Sequence, residues 1–329
     1  MNDSIRRRQA LSRLGALGLG SLGGLGSSAV LAQDAFPSKG PIKVIVPLPA
    51  GGAADAGARI VTNAMQAQMK QNFVVDNKPG ASFLLAMQAM AQAPADGYTI
   101  MHINNGMCAV QSALKKFDMV KALAPISLMG TMTTVLCVPT SSSYKSVADL
   151  LAAKPGSLSY GSVGIGSLEH LWGSRFSKRH KLDAVHVPFK GAPDAATAMG
   201  GGDIQYMAVA LAVALPLVQR GAIRPLAVTD TERSPALPSV PTLKELGVDA
   251  PTLVFWGGFA APRGTPAPVL EVLRRGIAGA VVYPDAITRL TGIGTTPMAS
   301  ATTQSFEALI DRELAWMGDA VKEANLQLN

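Results

Sequence analysis

The sequence predicts an α/β protein of two domains, each built on a doubly wound, mainly parallel sheet flanked by helices. The chain has 329 residues, which is more than most single hydrophobic cores contain. Hydrophobic residues make up 48% and charged residues 16% of the chain, a composition typical of globular proteins. Short β-branched runs alternate with helical patterns at the spacing of strand–loop–helix units.

The first 32 residues predict a secretory signal that does not belong to the folded protein. Arg6, Arg7 and Arg8 precede the uncharged segment 14–31, and Val30-Leu31-Ala32 offers a cleavage site after Ala32. The Arg7-Arg8 pair and the weakly hydrophobic, Gly-rich segment favour a twin-arginine signal. Because Ala10 stands where that motif usually has Phe, the general secretory route stays open. The alternative of a membrane anchor is disfavoured by four glycines between residues 20 and 26.

The elements of the first domain follow one another directly. Ile42–Val46 is a continuous apolar run, as expected of a strand buried on both faces of a parallel sheet. Apolar residues recur at helical spacing from Ala58 to Met65. Later elements are identified in the same way and bounded by Gly, Pro and Asn turns. They are strands at 73–75 and 99–103 and a helix at 82–91.

A second set begins after Pro139, where the small polar residues 140–143 suit a segment that crosses between domains. The predicted elements are a helix at 147–153, strands at 158–161, 185–187, 204–208 and 226–228, and a returning crossing at 255–260. Helices are predicted at 266–277, 285–290 and 306–324. The resulting division is signal 1–32, first lobe 33–138 plus 257–329, and second lobe 139–256.

Two Gly-rich loops, each between a strand and a helix, are the candidate binding elements. Glycines let the backbone approach a ligand and point N–H groups at it, and a helix N-terminus favours an anion. We expect both loops to meet at the carboxyl ends of the strands, where open α/β sheets bind ligands. The candidate residues in these loops are Ala50, Gly51, Gly52, Ala53, Ala54 and Asp55, and Ser162, Gly164, Gly166, Ser167 and His170.

Several of these residues have a second interpretation. Asp55 is equally suited to cap its helix and pair with Arg59 one turn later. Asn104 and Asn105 follow a strand and suit either a turn or a ligand contact. Ser167 and His170 resemble a hydrolase pair, but no orienting carboxylate is evident, because Glu169 is expected to point elsewhere on the helix.

Composition and motif spacing narrow the function classes. The net charge of +7 comes without a basic run interleaved with aromatics, which disfavours nucleic acid as a partner. The four histidines lack metal-ligand spacing, and neither loop matches a nucleotide-binding motif. We therefore predict no metal and no cofactor. Cys108 and Cys137 lie in apolar runs and are expected to be free thiols, although an exported protein permits a disulfide between them.

The ordered motifs together resemble those of the Bug-type receptors, the extracytoplasmic solute-binding proteins of tripartite tricarboxylate transporters. The matching segments are 42–47 with 49–55, 75–81, 95–99, 158–171, 187–191, 233–238 and 261–266. The resemblance implies a two-lobed Venus-flytrap fold, a periplasmic location, a monomer and no catalysis. It also implies a small carboxylate ligand and membrane-embedded transporter subunits as partners. A sensor or an orphan receptor of the same fold is the alternative.

Departures from the family pattern predict a less polar ligand. Ala53 and Ala54 stand where the family usually has Ser or Thr beside Asp55, and Val209 replaces a polar or acidic ligand contact. Phe83 and Phe189 are candidates for an apolar wall and equally for the core. A relatively apolar or aromatic carboxylate is expected.

Overall fold

The computed structural model describes residues 36–323 and consists of ten strands and eleven α-helices. The strands are β1 Ile42–Val46, β2 Phe73–Asn77, β3 Thr99–Asn104, β4 Leu123–Pro139, β5 Ser159–Ser162, β6 Val185–Pro188, β7 Met207–Ala210, β8 Ile223–Val228, β9 Val254–Pro262 and β10 Thr296–Pro297. The helices are α1 Ala53–Met69, α2 Leu84–Ala91, α3 Asn105–Leu114, α4 Met119–Ala122, α5 Val147–Leu151, α6 Leu168–Arg179, α7 Ala192–Gly201, α8 Leu211–Gln219, α9 Ala267–Val281, α10 Pro284–Gly292 and α11 Thr303–Glu323.

The first sheet has the strand order β10-β4-β9-β3-β1-β2. Its β1, β2 and β3 pair in parallel, as their alternation with helices predicts. All residues of β1 except Lys43 are buried, which explains its unbroken apolar run. The carboxyl ends of β1 and β3 therefore lie side by side, and helices α1 and α3 begin just beyond them.

Strand β4 is 17 residues long and joins two groups of strands. Its first part, from Leu123 to Thr133, pairs antiparallel with β9, whereas the part from Thr134 onward pairs antiparallel with β7 and β8. Beside β7, strands β5 and β6 form a parallel pair linked to the rest by a bridge between Tyr160 and Tyr206.

The mixed α/β class predicted from the sequence is confirmed. The long strands β4 and β9 add antiparallel pairs to the parallel ones, which makes the sheets mixed. Strand β4 was not predicted, since Pro125, Gly130 and a run of Thr interrupt its apolar pattern. Helices α3, α4, α7 and α8 were not predicted, and the strand expected at 204–208 lies at 207–210.

The helices cover the sheets and bury continuous apolar cores. The amphipathic helices α1 and α9 pack with β1 in one apolar core, to which they contribute residues such as Met65 and Ile277. Helix α11 contributes Phe306 and Met317 to a second core that also contains Trp172 of α6. Cys108 and Cys137 are both buried and free, as expected, and burial raises the pKa of each thiol. Between residues 36 and 323, the helices lack the length and apolar character needed to span a bilayer.

Candidate ligand-binding site

A cavity of about 560 Å³ opens where the first and second groups of strands meet. Segments from the whole described chain line it, including the loop after β1, the start of α3, the middle of β4 and β9, and the loop before α6. The lining residues are Leu48, Pro49, Gly52, Ala53, Ala54, Phe83, His102, Asn104, Asn105, Gly106, Val110, Met129, Gly130, Met132, Val163, Ser167, Leu168, Glu169, Phe255, Trp256, Gly257 and Thr295. A pocket of this size suits a small organic molecule.

The N-terminus of α1 faces the cavity with its backbone groups uncovered. Gly52 is the N-cap residue and makes no side-chain capping bond, and Ala53 and Ala54 of the first turn line the cavity. The first N–H groups of a helix have no partner within the helix, and together they carry a partial positive charge. This end of α1 is therefore suited to bind an anionic group.

Asp55 holds the first loop in shape and lies outside the cavity lining. Its carboxylate accepts hydrogen bonds from the Gly51 amide at 2.9 Å, from Arg59 Nε at 3.0 Å and from Asn77 Nδ2 at 2.9 Å. Burial disfavours its charged form, but these hydrogen bonds outweigh burial and hold the pKa of Asp55 below its usual value. The predicted ion pair with Arg59 is confirmed, whereas the predicted cap is wrong, because Gly52 is the N-cap residue and Asp55 lies inside the first turn of α1.

A second helix N-terminus, that of α3, borders the same cavity. Asn104 caps it by accepting a hydrogen bond from the Met107 amide at 3.2 Å. Asn105 is buried and ties the helix to β9, because its Nδ2 donates to the Val254 carbonyl at 2.8 Å and its Oδ1 accepts from the Trp256 amide at 3.3 Å. Asn105 lines the cavity, but both ends of its amide already have partners.

The loop before α6 uses most of its own N–H groups. The Gly164 amide donates to Ser162 Oγ at 3.1 Å, and the Gly166 amide donates to His170 Nδ1 at 3.0 Å. Ser167 caps the helix by accepting from the His170 amide at 3.3 Å. These bonds leave few backbone N–H groups free to donate to a ligand. The second loop therefore differs from the prediction that its N–H groups point at a ligand.

Glu169 lines the cavity, which corrects the expectation that it points elsewhere on the helix. It is only 6% exposed, and no salt bridge within residues 36–323 involves it. Burial raises its pKa, and hydrogen bonds from its own backbone N–H and from the Ser167 hydroxyl offset part of that effect. A carboxyl group in the first turn of a helix behind a Gly/Ser loop was the available sequence signal.

His170 lies behind the loop, against a second imidazole. Its ring stacks on His186 with centroids 3.8 Å apart, and His186 Nε2 lies 2.7 Å from Ser162 Oγ. Burial lowers the pKa of both histidines, and the neighbouring His170 lowers the pKa of His186 further, to about 4. Neither histidine lines the cavity. The two imidazoles instead stabilise the loop through their contacts with Ser162 and Gly166.

The structure divides the predicted site residues into two groups. Five of them line the cavity: Gly52, Ala53, Ala54, Asn105 and Ser167. The others lie outside its lining: Ala50, Gly51, Asp55, Ser162, Gly164, Gly166, His170 and Val209. Val209 is fully buried in an apolar cluster that Phe189 packs against, whereas Phe83 is part of the cavity wall. Roles of these residues in ligand binding stay predictions.

Sequence reasoning missed two buried residues of the cavity wall that carry nitrogen donors. His102 on β3 is 1% exposed, and its Nδ1 has no hydrogen-bond partner among the described residues. Trp256 on β9 is 4% exposed, and its Nε1 likewise has none in this part of the chain. Burial lowers the pKa of His102 to about 4, so its imidazole is neutral at pH 7. Both residues lie within apolar strand patterns, which gave no indication that either side chain lines a cavity.

Comparison with known proteins places this architecture in a family. The model of the tripartite tricarboxylate transporter family receptor matches residues 57–326. The UPF0065 protein in the tcbD-tcbE intergenic region of Pseudomonas sp. strain P51 is 34% identical over 267 residues, covering 79% of each chain.

Two solved structures from Rhodopseudomonas palustris are also similar. Rpa4515 with adipate is 29% identical with a TM-score of 0.72, covering 88% of this chain and 98% of that one. MatC (Rpa3494) with bound malate is 27% identical with a TM-score of 0.70, covering 87% of this chain and 100% of that one. This chain belongs to the tripartite tricarboxylate transporter receptor family, whose members are periplasmic solute-binding receptors of the Bug type and not enzymes.

Proposed function

We propose that this protein is an exported receptor that captures a small, relatively apolar or aromatic carboxylate for membrane-embedded transporter subunits of the tripartite tricarboxylate type. The single observation that carries the proposal is the cavity of about 560 Å³, which combines two helix N-termini with largely apolar walls. The protein acts in the periplasm as a monomer.

The carboxylate of the ligand binds at the N-termini of α1 and α3. Gly52, Ala53 and Ala54 present the first turn of α1, and Asn104 and Gly106 present that of α3. Backbone N–H groups and the two helix dipoles stabilise an anion without Lys or Arg, neither of which occurs among the lining residues. Malate and adipate, found with similar proteins, are both carboxylates.

The walls favour an apolar ligand body. Phe83, Phe255, Met129 and Met132 border the cavity. At its anion-binding end, Ala53 and Ala54 present methyl groups where the family pattern has the hydroxyl groups of Ser or Thr. Leaving a buried polar group of the ligand without a partner costs about 1–3 kcal/mol, or one to two decades of affinity. Hydroxylated tricarboxylates are therefore disfavoured relative to aliphatic or aromatic acids.

A thermal-shift screen tests this proposal. Benzoate, hexanoate, citrate and glutamate are compared at equal concentration, and the affinities of those that bind are measured by calorimetry. We expect benzoate or hexanoate to raise the melting temperature more than citrate does. If citrate or glutamate gives the largest shift while the aromatic acid is silent, the assignment of an apolar ligand is wrong.

A further inference from the structure

We propose that Glu169 makes this receptor selective for carboxylates that carry a protonated amine at the opposite end. The inference deepens the proposed function and rests on it. It follows from an asymmetry among the three helices whose N-cap residues, Gly52, Asn104 and Ser167, all line the cavity.

The three helix ends differ in the side chains that lie against their N–H groups. At α1 no side chain caps the helix. At α3 and α6 the N-cap side chains of Asn104 and Ser167 each accept one amide hydrogen bond, and at α6 the carboxyl group of Glu169 in the first turn also lines the cavity. The positive end of α6 is therefore already compensated by a side chain of the protein, and a ligand carboxylate there would meet a second carboxyl group.

The surroundings of Glu169 provide no protein cation. Within residues 36–323, the twelve salt bridges leave Glu169 out, and the cavity lining contains neither Lys nor Arg. A buried carboxylate without a cationic partner is unfavourable, and a cation supplied by the ligand offsets that penalty. The aromatic residues Phe83, Phe255 and Trp256 in the same cavity lining are compatible with an ammonium group, because the faces of aromatic rings attract cations.

The ligand class follows from the presence of two helix N-termini and Glu169 in one cavity lining. A carboxylate is held by the backbone of α1 and α3, an apolar body lies against the walls, and an ammonium group donates to Glu169. Dicarboxylates lack the donor and place a second negative charge near Glu169. The same geometry accepts a monocarboxylate with a plain hydrocarbon end, but without the additional ion pair.

Two matched ligand triplets test the inference by calorimetry. The aliphatic triplet is hexanoate, adipate and 6-aminohexanoate, and the aromatic triplet is benzoate, terephthalate and 4-(aminomethyl)benzoate. Within each triplet only the end group changes. We expect the amino acid of at least one triplet to bind the unaltered protein about tenfold or more tightly than the matching dicarboxylate, since a hydrogen bond to a charged group contributes roughly that much.

The variant Glu169→Gln keeps the shape of the side chain and removes its charge. We expect it to lose about ten- to one-hundredfold in affinity for the amino acid while its affinity for the monocarboxylate changes little. Glu232→Gln is the matched control, because it makes the same change on an exposed residue and should leave all affinities unaltered. The melting temperature of each variant verifies that it is folded. The order of ligand affinities measured with the unaltered protein tests the inference even if Glu169→Gln does not fold.

The outcomes separate this inference from the proposed function. If acids of both triplets bind but their order ignores the end group, or if Glu169→Gln leaves the order unchanged, the receptor function stands and selectivity through Glu169 is wrong. If none of the six acids binds, the proposed function fails and this inference fails with it.

Discussion

The backbone N–H of Gly166 donates a hydrogen bond to Nδ1 of His170 at 3.0 Å. This bond joins two residues that the sequence predicts as separate ligand contacts. Because the donor of one is consumed by the acceptor of the other, the loop is stabilised internally. It also fixes the imidazole of His170 with an unprotonated Nδ1, since that atom accepts the bond.

Replacing Gly52 with Val should abolish ligand binding and leave the fold intact. Gly52 has a φ of −76°, which any residue adopts, and an added Cβ would make only an ordinary contact of 3.6 Å with the Pro49 carbonyl. The branched side chain would cover the N-terminus of α1. We expect a change in unfolding free energy of about 1 kcal/mol or less, measured by urea unfolding, together with loss of the calorimetric binding signal.

The control for this substitution is Gly318→Ala in α11, where no atom lies within 4 Å of an added Cβ. Gly318→Ala should bind the ligand with the same affinity as the unaltered protein. Gly166→Val is a poorer probe, because Gly166 has a φ of +80° and a side chain there strains the loop. Unchanged affinity of Gly52→Val would contradict the assignment of α1 as the anion site.

His102 should make the stability of the protein depend on pH. Burial lowers its pKa from 6.5 to about 4, so the folded protein resists a proton that the unfolded chain accepts. The neutral imidazole of His102 makes its full contribution to the unfolding free energy above about pH 6.5, and this contribution is lost as the pH falls toward 4. Between pH 7 and pH 5 we expect the unfolding free energy to fall by about 2 kcal/mol on account of this residue.

The measurement is urea unfolding of the ligand-free protein and of His102→Gln at both pH values. In His102→Gln the change in unfolding free energy between pH 7 and pH 5 should be smaller by the amount that His102 contributes. The change due to His170 and His186 should remain, because burial also lowers the pKa values of these two residues. Equal pH dependence in the two proteins would show that His102 is not held neutral by the fold.

Ligand binding should close the protein around the cavity. We propose that residues 33–138 with 257–329 and residues 139–256 form two lobes, joined by crossings near 137–142 and 253–258, close to the point where β4 changes partners at Thr134. There Thr134 Oγ1 donates to the Leu253 carbonyl at 2.5 Å, and the Thr229 hydroxyl donates to the same carbonyl at 2.6 Å. Small-angle scattering should give a smaller radius of gyration for the saturated protein. Identical curves with and without ligand would refute a hinge.

Export should remove the first 32 residues. This segment lies outside the described residues, so the prediction rests on Arg7-Arg8 and on Val30-Leu31-Ala32. Terminal sequencing of protein from the periplasm should begin at Gln33, and a terminus before residue 30 would contradict it. Replacing Arg7 and Arg8 together by Lys should block export by the twin-arginine route and spare the general secretory route.

Local patterns in the sequence determined the elements that frame the site. The apolar run of β1, the Gly-rich loop behind it and the start of α1 follow from contacts between near neighbours, and all three are present in the structure. The α/β class and the family resemblance, both visible in the sequence, are confirmed.

Only the tertiary structure decided which side chains face the cavity. Successive residues of an α-helix point about 100° apart, so the exact rotation of α6 turns Glu169 inward and His170 away. Val209 joins the core, and His102 and Trp256 reach the cavity because β3, β4 and β9 are brought together by pairing across large sequence separations. Which side chains line the cavity depends on such distant strand partners, which no local pattern specifies.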